Sequence, residues 1–203
     1  MIDPGVLRYL GGVSDYRDAI LELITRWGYE RREEAFQLSS GSMTHDYIDA
    51  KLAIATSPRL RAVGEAFLAL AREESVEFDA VGGLTMGADP ISLAITIASP
   101  DEKLWFSVRK EAKAHGKQRS IEGAALKPGT KVMLVDDVVT TGRSILQALD
   151  AVEAAEAEVV FATTLVDRGE STSARMAERG VHYRPLLTYK DLRIEPVPDA
   201  VLT

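Results

Sequence analysis

The chain contains no cysteine. Disulfide staples, thiolate zinc sites and thiol nucleophiles are therefore excluded. Histidine is scarce at three residues, and His45 and His182 stand in no pattern that gives them a role. Long hydrophobic runs are missing too: Ile91 to Ala98 is apolar but far short of the roughly 20 residues a membrane helix needs. The start, Met1-Ile2-Asp3-Pro4-Gly5, lacks the basic stretch followed by an apolar run that marks a secretory signal, so a cytoplasmic protein is expected. There are no internal repeats and no low-complexity tracts. Positive charge is in deficit, with 24 Lys and Arg against 31 Asp and Glu, a net charge of -7 and a pI of about 5.1. An acidic surface repels nucleic-acid backbones and anionic lipids, so neither nucleic acid nor membrane is expected as a partner. A polyanionic small substrate stays open if the basic residues cluster locally.

What is present is an ordinary globular composition. The 203 residues are 46% hydrophobic and 27% charged, enough for one domain with a substantial core. Helices are predicted over Asp15 to Trp27, capped by Ser14 and ended by Gly28, and over Pro58 to Arg72, capped by Ser57. Further helices are predicted over Pro90 to Ala98, Ser144 to Ala155 and Ser171 to Arg179. Strands are predicted over Phe78 to Gly83, Leu104 to Val108, Lys131 to Val135, Glu158 to Val166 and Pro185 to Thr188. Phe36 to Lys51 reads as a turn between extended pieces, and Arg109 to Gly123 as a mobile loop with Gly116 and Gly123 as hinges. This alternation implies an α/β fold, a doubly wound parallel sheet covered on both faces. Ligands of such sheets bind at the carboxyl ends of the strands, so the loops after Val81, Val108, Val135 and Val166 carry the interest.

The sharpest feature is Val132-Met133-Leu134-Val135-Asp136-Asp137-Val138-Val139-Thr140-Thr141-Gly142-Arg143-Ser144. An apolar strand delivers two carboxylates, and a hydroxyl-rich turn with a glycine then enters a helix. Amides at such a turn surround a phosphate, and the helix dipole favours the anion. Thr140, Thr141 and Ser144 add side-chain donors. Two acids beside a phosphate make sense where they hold sugar hydroxyls or sit near a magnesium carried by the substrate. The combination points to a phosphorylated sugar rather than a bare phosphate, and it is not the Walker pattern. The plainer alternative is a strand-turn-helix with an acid pair capping the helix. The second feature is the basic cluster Arg109-Lys110-Glu111-Ala112-Lys113-Ala114-His115-Gly116-Lys117. Such a cluster suits a diphosphate, since Arg forks onto phosphate oxygens and Lys supplies point charge. The plainer alternative there is a solvated charged turn.

The first segment resembles the phosphoribosyl-pyrophosphate motif of type I phosphoribosyltransferases, and the basic cluster resembles the catalytic loop of the orotate phosphoribosyltransferases. The likeness runs from about Phe36 to Tyr189. It implies a single phosphoribosyltransferase domain over residues 1–203, with about 1–55 forming an N-terminal helix and base-binding hood and about 56–203 the core. It implies that Asp136 and Asp137 contact the ribose hydroxyls, that Thr140, Thr141, Gly142, Arg143 and Ser144 wrap the 5-phosphate, and that Val138 and Val139 also belong to the site for the sugar pyrophosphate. Arg109, Lys110, Lys113 and His115 are implied to contact the diphosphate, with Lys113, Asp136 and Asp137 catalytic. Thr85, Met86 and Gly87 take the place of the pyrophosphate loop, where many members carry Tyr-Lys. Ser39 stands where many have Lys, and Lys51 is a candidate to offset a lost charge. Tyr47 and Ile48 take the place of an aromatic pair beside the base. Arg168 is implied to grip the orotate carboxylate, with Thr140 also on the base. The implied substrates are phosphoribosyl pyrophosphate and orotate. The implied cofactor is Mg2+ carried by substrate, with no direct protein ligand. The implied assembly is a homodimer in which the basic loop reaches the neighbouring active site. A relative acting on another base, or a non-catalytic sensor of the sugar pyrophosphate, is the alternative.

Overall fold

The computed structural model describes residues 13–38, 40–111 and 120–199. Helix α1 (Val13–Trp27) leads into a hairpin of β1 (Tyr29–Gln37) and β2 (Met43–Ile48), followed by a short α2 (Ala50–Ala53). The core then runs α3 (Ser57–Glu73), β3 (Ala80–Leu84), α4 (Ala88–Ala98), β4 (Leu104–Val108), β5 (Ile121–Gly123), β6 (Lys131–Val139), α5 (Arg143–Ala154), β7 (Glu158–Asp167), α6 (Thr172–Glu178) and β8 (Leu187–Thr188).

The main sheet has the order β5-β4-β3-β6-β7-β8. All pairings are parallel except that of β5, which lies antiparallel on β4. The chain leaves β3 toward β4, then crosses back to β6 and proceeds the other way. The switch point therefore lies between β3 and β6, and the crevice beyond their carboxyl ends is where a ligand belongs. Alternate residues of the central strands enter two separate cores. Met133 and Val135 join α1, α3 and α4 on one face, while Val132 and Leu134 join α5 on the other. All four are fully buried. Each contributes about 1.5–3 kcal/mol by leaving water, which is why this run of β6 forms the rigid axis of the sheet.

Several boundaries differ from the sequence expectation. β6 continues four residues past Val135, because Asp136 to Val139 keep pairing with β7. The segment after Val108 is not wholly loop: Ile121 to Gly123 pair with Phe106 to Val108, so Gly123 is a strand residue rather than a free hinge. β1 and α2 had no clear periodic signal and rest on tertiary contacts. Thr56, not Ser57, is the N-cap of α3, and the Thr56 hydroxyl accepts from Arg59 Nε at 2.9 Å. α4 opens at Ala88, two residues before Pro90. α1 opens at Val13, so Ser14 lies within the helix. No helix among the described residues is long and apolar enough to cross a membrane.

Candidate active site

The two acids at the end of β6 occupy different environments. Asp136 is 3% exposed and accepts the Ser144 hydroxyl and the Asp137 amide. Burial is the main force on it; together with the charge of Asp137 it pushes the Asp136 carboxyl up to about 7, against the pull of the Ser144 hydrogen bond. Asp137 is partly exposed. Its Oδ2 accepts Lys51 Nζ at 2.6 Å, and its Oδ1 accepts the Val138 amide at 2.7 Å. The expectation for Ser144 is thereby altered, because its hydroxyl is committed to Asp136 rather than open to a phosphate.

The turn after β6 depends on a glycine. Gly142 has φ of 72°, a left-handed value that other side chains resist, and it is the N-cap of α5. It brings no side-chain cap to the amides that open this 12-residue helix, and such uncapped amides suit an anion. Arg175 Nη1 donates to the Thr141 carbonyl at 2.7 Å and, through Nη2, pairs with Asp199, which holds the turn from below.

Gly87 makes the contact between the loop after β3 and the acids. A Cβ there would lie 2.6 Å from Asp137 Oδ1 and 2.7 Å from Asp136 Oδ1, so only glycine allows this approach. Thr85 donates its hydroxyl to Asp89 Oδ2 at 2.6 Å, and Ser107 donates to Asp89 Oδ1 at 2.6 Å. Asp89 thus ties the Thr85-Met86-Gly87 loop to the end of β4, where the basic cluster begins. Met86 is 69% exposed.

A recess of about 260 Å³ is lined by Ser40, Leu84, Lys110, Val138, Val139, Thr140, Thr141, Gly142, Arg143, Ser144, Gln147 and Arg168. Residues expected to act together, from three distant parts of the chain, therefore face one cavity. Ser40 Oγ is buried there with no hydrogen-bond partner among the described residues. A larger recess of about 400 Å³ lies at the amino ends of the strands beside Phe78, Asp79 and Lys131, and none of the described motif residues lines it.

Arg168 Nε donates to Thr140 Oγ1 at 3.0 Å, and its Nη1 lies 3.5 Å from the Asp46 carbonyl of β2. Among the described residues no carboxylate forms an ion pair with it. Burial lowers its pKa, opposed by Asp137, Asp46 and Tyr47. A desolvated guanidinium with a free edge is a receptor for a planar anion. Val197 donates its amide to the Arg168 carbonyl at 2.8 Å, so the C-terminal tail supports this loop.

The basic cluster divides. Arg109 pairs with Glu122 at 2.9 Å across β4 and β5, which commits its charge away from the recess. Lys110 is exposed and lines the recess. Lys113 and His115 lie outside the described residues, as does Ser39. Tyr47 and Ile48 point to opposite sides of β2 because strand residues alternate. Ile48 is core, so it does not stand beside a base; Tyr47 instead packs edge-on against Phe36, at 5.6 Å, and both rings lie under Arg32. Asp89, Arg175 and Val197 were missed by the sequence reading. Asp89 stands one place before the helix proline, where an acid is ordinary at a helix start, while Arg175 and Val197 have no local signal.

Residues 69–179 match the phosphoribosyl transferase domain model. The chain is 45% identical over 157 residues to the orotate phosphoribosyltransferase of Corynebacterium glutamicum, covering 76% of this chain and 83% of that one. It is 36% identical over 184 residues to the orotate phosphoribosyltransferase of Synechocystis sp., covering 89% and 90%. The crystal structure of the Mycobacterium tuberculosis orotate phosphoribosyltransferase in complex with phosphoribosyl pyrophosphate superposes with a TM-score of 0.73 at 32% identity, covering 88% of this chain and 99% of that one. A parallel sheet with its crevice between β3 and β6, an acid pair beside a glycine turn, and likeness over most of the length of these proteins lead to one assignment: the chain belongs to the orotate phosphoribosyltransferases of the type I phosphoribosyltransferase family.

Proposed function

We propose that this chain transfers the phosphoribosyl group of phosphoribosyl pyrophosphate to orotate, yielding orotidine 5'-monophosphate and pyrophosphate. The observation that carries this reading is the convergence of the Val138 to Ser144 turn, Lys110 and Arg168 on one recess. The turn amides and the start of α5 take the 5-phosphate, with Thr140, Thr141 and Gly142 closest and Arg143 adding charge at the rim. Asp137 takes a ribose hydroxyl. Asp136, being buried, acts through Asp137 and Ser144, holding the turn in place.

Arg168 grips the orotate carboxylate with its free guanidinium edge while Thr140 fixes its Nε side. In the reaction the bond between ribose C1 and the diphosphate oxygen breaks, and the leaving oxygen keeps the electron pair. The base nitrogen supplies the pair for the new bond to C1. Positive charge develops on the ribose, as in glycoside chemistry, and the Asp137 carboxylate that takes a ribose hydroxyl favours it. Lys110 and Lys113, with His115, meet the charge growing on the diphosphate, Lys113 being the donor to the leaving oxygen. Orotate is already an anion, so no strong general base is needed.

Mg2+ is proposed to arrive on the diphosphate. The Asp137 carboxylate is a hard oxygen donor near the diphosphate that suits its outer coordination, and when bound it would neutralise charge on the leaving group. We also propose a homodimer in which the basic segment reaches the neighbouring site. Leu93 and Ile97, one turn apart on α4, and Leu104 expose apolar side chains that support a self-association face.

The test is a spectrophotometric assay of orotate loss with Mg2+ and phosphoribosyl pyrophosphate, run beside hypoxanthine and uracil. Orotate consumption with release of pyrophosphate is expected. Turnover with hypoxanthine or uracil and none with orotate would overturn the base assignment. Sedimentation of the protein across a concentration series checks the dimer, and a monomer at all concentrations would remove it.

A further inference from the structure

Asp137 stands between two segments of different charge. Gly87 of the loop after β3 crowds its Oδ1, and Lys51 of α2 donates to its Oδ2 at 2.6 Å. The Lys51 ammonium therefore lies one carboxylate away from the Thr85-Met86-Gly87 loop. That loop carries no charge, and the Thr85 hydroxyl is spent on Asp89. A diphosphate placed against it faces two acids with no loop cation to balance them. Among the described residues Lys51 is the only cation within ion-pair distance of the acid pair. Its side chain is 52% exposed, and only one of its three N–H donors is used by Asp137. Burial works to lower its pKa, but Asp137, Asp49 and Asp136 hold it above the usual lysine value, so it stays charged at neutral pH.

We propose that Lys51 is a substrate-binding residue that changes partner during the cycle: ribose hydroxyls take over the Asp137 carboxylate, and the released Lys51 ammonium turns onto the diphosphate. The exchange replaces a monoanionic partner by a polyanionic one, which strengthens the ammonium's interaction. A hydroxyl is an adequate neutral donor to Asp137, so neither group is left unpaired. Lys51 thus supplies from the hood the charge that Thr85-Met86 lacks. This rests on phosphoribosyl pyrophosphate being the substrate.

The test is titration calorimetry with Mg2+ present, using phosphoribosyl pyrophosphate, inorganic pyrophosphate and ribose 5-phosphate as separate probes. Lys51→Met is expected to weaken phosphoribosyl pyrophosphate and pyrophosphate by about tenfold to a hundredfold, the worth of a charged hydrogen bond. Ribose 5-phosphate should change by less than about threefold, and Lys51→Arg should recover most of the loss. Lys51→Gln serves if the methionine variant melts early. Pyrophosphate affinity within twofold of the parent, or equal weakening of ribose 5-phosphate, would overturn the proposal, since Lys51 would then act only by neutralising Asp137. Failure of the parent itself to bind phosphoribosyl pyrophosphate would sink the underlying substrate reading and this proposal with it.

Discussion

Asp136→Asn offers a direct measure of what burying the first acid costs the fold. The Asp136 carboxyl moves from an ordinary value of 3.8 to about 7 in the folded protein, chiefly through burial and then through the charge of Asp137. The folded state therefore holds this proton more tightly than the unfolded chain does. The stability that comes with the neutral acid is fully present below about pH 4 and is lost as pH rises through 7. About three pH units at 1.36 kcal/mol each set a ceiling of roughly 4 kcal/mol. Asparagine cannot ionise, yet it preserves the contacts: its oxygen accepts the Asp137 amide and its NH2 faces the Ser144 oxygen. Variant and parent should then be about equally stable at pH 4. The variant should lead by up to roughly 4 kcal/mol at pH 8.5, a melting-point gain of roughly 8 to 16 °C for a chain of this size. Thermal or urea unfolding of both proteins from pH 4 to 8.5 reads this difference. Parallel stability curves, or a lead for the variant that shrinks with pH, would refute the assignment of a buried, proton-retaining Asp136.

Gly87→Ala places a methyl 2.6 to 2.7 Å from two carboxylate oxygens, so the acids or the loop must shift. Binding of phosphoribosyl pyrophosphate by calorimetry should fall at least about tenfold, the scale of a misplaced binding group, with the fold retained by circular dichroism. Arg168→Ala should raise the KM for orotate by about tenfold to a hundredfold while changing that for phosphoribosyl pyrophosphate far less, as loss of a charged hydrogen bond predicts; steady-state kinetics with each substrate varied reads the split, and equal changes would remove the carboxylate role. Phe67→Ala, at a fully buried position of α3 outside the site, should cost about 3–5 kcal/mol in urea unfolding.

The order of helices and strands, the burial of β6 and the acid-turn-helix segment were legible in the sequence because each is local. An apolar run such as Val132 to Val135 marks a buried strand, and the hydroxyl- and glycine-containing turn from Thr140 to Gly142 marks the start of the helix that follows. The resemblance of residues 132–144 and 109–117 to known motifs already pointed to the phosphoribosyltransferases before any contact was visible. Which charges are free was not legible, because partners come from distant positions. Arg109 reads like Lys110 in sequence, yet β5 brings Glu122 against it, whereas Lys110 faces the recess. Asp136 and Asp137 read as equivalents, but strand alternation turns one into the core and leaves the other to meet Lys51, 86 positions away. Tyr47 and Ile48 divide for the same reason. The sequence by itself determined which chemical groups this protein has and the strands and turns that carry them; the tertiary structure alone decided which of those groups are buried, paired or left open to a ligand, because desolvation and ion pairing depend on neighbours in space rather than in the chain.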